Sequence, residues 1–185
     1  MKYFFSICLV SVMLGTVAQA TTLQKLTDEA MTYQSDVIAH GHVKQVRSAH
    51  LGGQLVTLAD IETEDVLKGA PQSVTVIVPG GIDTSLKHPV ATIYPGAPQL
   101  LAGQELFLFL QQSDLMAGGY TVVGFSQGAL QVVHDQAGSS ARRNLSNVTL
   151  VTGSGVVRGT DSAISLEKLK EQVRGYLAAN EASAH

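Results

Sequence analysis

Two short runs in this chain carry residue types that chemistry uses. Gly124-Phe125-Ser126-Gln127-Gly128 fits G-x-S-x-G, the strand-to-helix turn that presents a serine hydroxyl in α/β-hydrolases, so Ser126 is a candidate nucleophile. His40-Gly41-His42 sets two imidazoles two residues apart, on one face of a strand, where neutral ring nitrogens suit zinc or copper. His50, His88 and His134 are further imidazoles that can complete a metal site, but no spacing along the chain brings one of them to the pair. Glu62 and Glu64 share a face near the end of the following strand. Enclosed, they would repel each other and gain affinity for a proton or a cation; solvated, they would keep a sheet edge from pairing with other chains.

Context weighs against the serine. A nucleophile elbow needs a helix straight after it, whereas Ala129-Leu130-Gln131-Val132-Val133 reads as strand. It also needs an acid and then a histidine downstream, with room for the elements that carry them. The histidines after Ser126 are His134, eight residues on, and His185, the last residue. The expectation is therefore a glycine-flanked bulge between two strand segments, no catalytic residue and no cofactor. Serine esterase chemistry at Ser126 and metal binding through His40 and His42 are the alternatives. Gly80-Gly81 lacks the Lys-Ser/Thr of a phosphate loop and reads as a tight turn.

The rest of the chain must position these residues. Residues 1–20 read as a signal peptide: Lys2, an apolar stretch from Phe4 to Leu14, and Ala18-Gln19-Ala20 before the cut. That stretch is too short for a permanent membrane anchor. Residues 21–185 then form one exported domain, periplasmic or secreted and bacterial in character. The single cysteine, Cys8, falls inside the signal, so disulfides and cysteine-ligated metal are excluded and burial alone must hold the fold. The net charge of −3, the scattered basic residues and the absence of tryptophan argue against nucleic acid.

Helical spacing of Leu23, Leu26, Ala30 and Met31 predicts a first helix over Thr22–Gln34, capped by Thr22. Strands follow at Val37–Val43, Gln54–Val66 (after a Gly52-Gly53 turn) and Ser73–Val78. Pro79 to Pro98, with four of the five prolines, reads as a long loop. Gln104–Gln112 is an apolar strand covered on both faces; Tyr120–Phe125 and Ala129–His134 continue the pattern. A polar turn is expected around Gly138-Ser139-Ser140 and a short edge strand at Val148–Val151. Ser165 caps a closing helix with the apolar face Leu166, Leu169, Val173 and Leu177. No crossover helix lies between Val37 and Val133, so the expected fold is mainly β: a small antiparallel OB-like barrel flanked by an N-terminal and a C-terminal helix.

The order of Ser35-Asp36-Val37-Ile38-Ala39-His40-Gly41-His42-Val43, Glu64-Asp65-Val66-Leu67-Lys68-Gly69, Val74-Thr75-Val76-Ile77-Val78-Pro79-Gly80-Gly81, Gly103 to Leu110 and Tyr120-Thr121-Val122-Val123-Gly124 resembles the netrin-like group. That group includes the tissue inhibitors of metalloproteinases and uncharacterised exported bacterial proteins of this layout. The resemblance implies a five-stranded OB-type barrel. The inhibitors' N-terminal cysteine and disulfides have no counterpart, so their mechanism does not carry over. What it implies is a non-enzymatic binding module whose partner is another exported protein, possible targets including a protease. Ile82, Leu86, Ile93 and Tyr94, in the loop rich in proline and glycine, are the residues expected either to meet that partner or to strap the barrel end.

Overall fold

The computed structural model of the protein describes residues 22–85, 87–136 and 138–183. The expected signal peptide, Leu86 and His185 lie outside the described residues. The chain opens on strand β1 (Thr22–Gln24) and helix α1 (Asp28–Gln34). Thr27 caps α1, its hydroxyl accepting from the Ala30 N–H, with Asp28 and Glu29 in the first turn where the helix dipole favours them. The expected helix from Thr22 is thus corrected: its first turn is strand. Leu23 packs on Leu145, Val148 and Leu150 instead of turning onto a helix face, because β1 finds a strand partner to complete its backbone bonds.

Long antiparallel strands β2 (Val37–Leu51) and β3 (Gln54–Lys68) meet at the Gly52-Gly53 turn. The next strands are β4 (Ser73–Asp83), β5 (Val90–Ile93), β6 (Glu105–Gln112), β7 (Gly119–Val122), β8 (Ala129–Asp135) and β9 (Gly138–Arg143). They are followed by β10 (Thr149–Thr152), β11 (Gly155–Arg158), β12 (Ser162–Ser165) and helix α2 (Leu166–Ser183). The main sheet runs β12-β9-β8-β6-β2-β3-β4-β5, and β7 pairs with both β4 and β6. Most pairings are antiparallel; β4 with β7 and β1 with β10 are parallel. The fold is mainly β, with one short helix near its start and a longer one at its end.

The apolar run of β6 shows why this strand is central. Leu106, Leu108 and Leu110 enter one core cluster with Val37, Val43, Ile61 and Val76. Phe107 and Phe109 point the other way, stacked edge to face at 5.4 Å, into a second cluster with Met31 of α1 and Leu166, Leu169 and Val173 of α2. Alternation across the strand makes both faces apolar, and each face has its own cover. The closing helix packs on its own sheet, as its single apolar stripe predicts. No helix among the described residues is long and apolar enough to cross a membrane.

Three further expectations are corrected. The loop from Pro79 to Pro98 is in part a hairpin: β4 continues through Pro79-Gly80-Gly81 to Asp83 and pairs with β5. Pro79 is tolerated because proline lacks only the donor and the strand lies near a sheet edge. Gly138-Ser139-Ser140 is not a turn but the start of β9, paired with the end of β8. The segment around Val148–Val151 is not an edge: β10 is the middle strand of a separate sheet, β1-β10-β11.

Candidate metal centre

Four neighbouring strands of the main sheet, β8, β6, β2 and β3, each send an ionisable side chain to one corner. His40 and His42 come from β2, where Gly41 lets the strands approach closely. A Cβ on Gly41 would stand 2.2 Å from the Glu62 carbonyl oxygen, and the β2–β3 register shifts between His40 and Gly41, the irregularity expected of a bulge. Glu105 opens β6 opposite His42, Glu64 lies on β3, and His134 lies near the end of β8.

The five groups interlock. His40 Nε2 is 2.7 Å from Glu105 Oε1, and His134 Nε2 is 2.5 Å from Glu105 Oε2. His42 Nε2 lies 2.9 Å from Glu64 Oε1 and 4.0 Å from Glu105 Oε2. His40 Nδ1 faces Glu64 Oε2 at 3.8 Å. His134 Nδ1 is 2.8 Å from the hydroxyl of Ser139, its register partner on β9. That contact orients the ring and leaves Nε2 aimed at Glu105, as ligand histidines are usually held from their far nitrogen.

Burial grades outward across the corner. The side chains of His40 and Glu105 are 8% and 12% exposed, those of Glu64 and His134 51% and 59%. Burial pushes the Glu105 carboxyl up, but hydrogen bonds with His134 and then His40 outweigh it and hold the group below the ordinary carboxylate range. The carboxylate therefore stays ionised, the form a cation needs. Ligand atoms of His40, Glu64 and Glu105 all lie within 4.8 Å of one another. Imidazole nitrogen beside carboxylate oxygen suits zinc, copper, nickel or iron; calcium and magnesium prefer oxygen alone.

The structure thus gathers His40, His42 and His134 of the histidines noted in the sequence, and leaves His50 elsewhere, 3.6 Å from Asp83. Glu62 and Glu64 separate: Glu62 turns to Lys44 at 2.5 Å, and only Glu64 joins the cluster. Glu105 is the member that sequence reasoning missed. Its one signal is a charge adjoining the run Leu106–Leu110, at the mouth of a doubly covered strand.

Ser126 goes the other way. It sits in a 3-10 turn, Phe125–Gly128, joining β7 to β8, and its Oγ is buried without a hydrogen-bond partner among the described residues. No helix follows; β8 does. The motif's glycines serve the backbone: Gly124 has φ 67°, and a Cβ on Gly128 would meet the Val123 carbonyl oxygen at 2.3 Å. Gln127 is the working polar residue of the turn. Its buried amide accepts from the Leu26 N–H (2.9 Å) and donates to the Gln24 carbonyl (2.8 Å), tying the N-terminal segment down. At the sheet's far end Ile82, Ile93 and Tyr94 are all exposed, so they do not act as a buried strap; Leu86, their fourth companion, lies outside the described residues.

Comparison with protein families, with curated proteins and with solved structures finds no match.

Proposed function

We propose that this chain is an exported, non-enzymatic binding protein whose ligand is a divalent transition-metal ion held by His40, Glu64 and Glu105, with His42 and His134 bonded to the two carboxylates beside it. One observation carries the reading: three imidazoles and two carboxylates from four adjacent strands converge on one corner, each imidazole within 2.9 Å of a carboxylate oxygen and the His42–Glu64 pair 3.8 to 4.0 Å from the rest. Without an ion such a cluster holds itself together by imidazole–carboxylate bonds; with one, the same atoms become ligands. An OB-like barrel of the netrin-like kind is the proposed frame. The ring of pairings β2-β3-β4-β7-β6 and back to β2, with β4–β7 parallel, supports it.

The test is calorimetric titration of metal-free protein, made without a histidine tag, with zinc and copper(II). Saturable binding that disappears in His40→Ala is the expected result. Heat no different from buffer, or binding unchanged in that variant, would overturn the reading.

A second reading concerns the β4–β5 hairpin. Ile82 and Ile93 are exposed on one face of the β4–β5 hairpin, with exposed Val90 on its other face and Tyr94 just past its end, a composition suited to contact with another exported protein. Pull-down from the exported fraction, with wild type against an Ile82→Ser/Ile93→Ser variant, tests it. Equal recovery of the same partner by both would end it.

A further inference from the structure

Resting on the hairpin reading above and naming its partner, we infer that β5 is the edge through which two copies of this chain pair, antiparallel and centred on Thr92. β5 is the last strand of the main sheet, and every residue in it is exposed. Its backbone is turned to receive a neighbour. The Thr92 carbonyl oxygen faces β4, 2.4 Å from where a Cβ on Gly80 would stand. The Ile82 N–H, opposite Ala91, turns away from β5 and donates to the Ser48 hydroxyl at 2.9 Å. Alternation along the strand therefore leaves the N–H and C=O of Ala91 and Ile93 pointing outwards, an open template for another strand.

The edge matches itself. From Pro89 to Gln104 the chain has no charged residue, so nothing repels a second copy and no charge selects a foreign strand of opposite sign. Pro89 and Pro95 stand three residues either side of Thr92; each lacks an N–H, so pairing runs only between them. A two-fold axis through Thr92 leaves each face of the sheet continuous across the pair. It sets Ala91 opposite Ile93 of the partner copy at two places, each pair exchanging both backbone hydrogen bonds. Ile82 pairs with Ala91 and shares its face. Ile82 and Ile93, 54% and 75% exposed in the single chain, thus meet their counterparts in one apolar patch. The axis uses the β5 edge of both copies at once, so association closes at the dimer.

The test is sedimentation equilibrium of the full-length protein, with a chelator present so that the metal corner plays no part. So short an edge buries far less than the ~800 Å² per partner of a stable complex, so concentrations should run from about 10 μM to about 1 mM. Apparent mass climbing towards twice the monomer is expected in wild type. Ala91→Pro, which removes only an outward N–H, should stay monomeric. If that variant misfolds, Ile93→Lys, a change to an exposed side chain, decides in its place. Thr92→Cys in a Cys8→Ser background should form a disulfide-linked dimer on mild oxidation, its two Cα atoms lying about 4.5 Å apart across the axis. Ala91→Cys, diagonal to its own copy at about 7–8 Å, should not. Dimers unaffected by Ala91→Pro and Ile93→Lys, or equal cross-linking at both positions, would overturn the inference. So would wild type that stays monomeric throughout. If that monomer still recovers a partner through Ile82 and Ile93, the hairpin reading stands alone; if it recovers none, both fall.

Discussion

The turn at Gly124–Gly128 and the corner around His40 offer opposite lessons about motifs. The turn matches a five-residue catalytic pattern, yet its serine hydroxyl is buried with no hydrogen-bond partner among the described residues, and its glycines answer to backbone geometry. The corner begins as a bare pair of histidines, yet four strands supply it with partners. Catalytic geometry is a relation between elements. A local pattern predicts it only when the elements that give the pattern its meaning follow, and here a strand stands where a helix would be needed.

The contrast sets the order of the expected effects. Gln127→Ala should be the most damaging change, lowering stability by about 3 kcal/mol, since two part-buried backbone groups, the Leu26 N–H and the Gln24 carbonyl, lose their side-chain partner and a buried amide is removed. Urea unfolding reads this directly, and a loss below about 1 kcal/mol would show that the turn is not the fastening described. Next comes metal: zinc at a hundredfold above its dissociation constant should raise stability by about 2.7 kcal/mol, and His40→Ala should abolish the increase. A thermal melt indifferent to zinc would erase the corner's side of the comparison.

Gly41→Ala should cost about 2 kcal/mol through overpacking, because its methyl would collide with the Glu62 backbone. It should also weaken zinc binding by spreading β2 from β3. Loss of stability with unchanged affinity would show that the bulge serves the sheet and not the site. Ser126→Ala should be nearly silent, within about 0.5 kcal/mol, as the hydroxyl it removes bonds to nothing among the described residues. Wild-type protein labelled by a fluorophosphonate, with labelling lost in this variant, would reverse the ranking of the two regions.

The smallest effect is a pH dependence just behind the corner. A hydrogen bond from Lys170 on α2 holds Asp65 below its usual 3.8, although burial works against it. A depressed carboxylate stabilises the fold above its unfolded pKa and loses that contribution as pH falls through its folded value. In metal-free protein Asp65→Asn should therefore narrow the gap to wild type as pH drops below about 4. A gap that widens on acidification would contradict the sign.

Much of the scaffold is legible along the chain. Gly52-Gly53, the doubly apolar Leu106–Leu110 and the stripe on α2 each state their environment locally, because burial on one face or two leaves a period in the sequence. The errors fall where partners are distant. Thr22–Gln24 has helical spacing but pairs with β10, more than a hundred residues on. Gly138–Arg143 is polar enough for a turn but completes the edge of β8.

Residue order by itself determined that His40 and His42 would share a strand face, through two-residue alternation, and that Glu105 would stand at the head of a strand buried on both faces, through the unbroken apolar run after it. Tertiary structure alone decided that Glu105 would lie between His40 and His134 and that Glu64, not Glu62, would face the histidines. Strand neighbours and bulge positions are set by how the whole sheet closes its hydrogen bonds, and no local period encodes them.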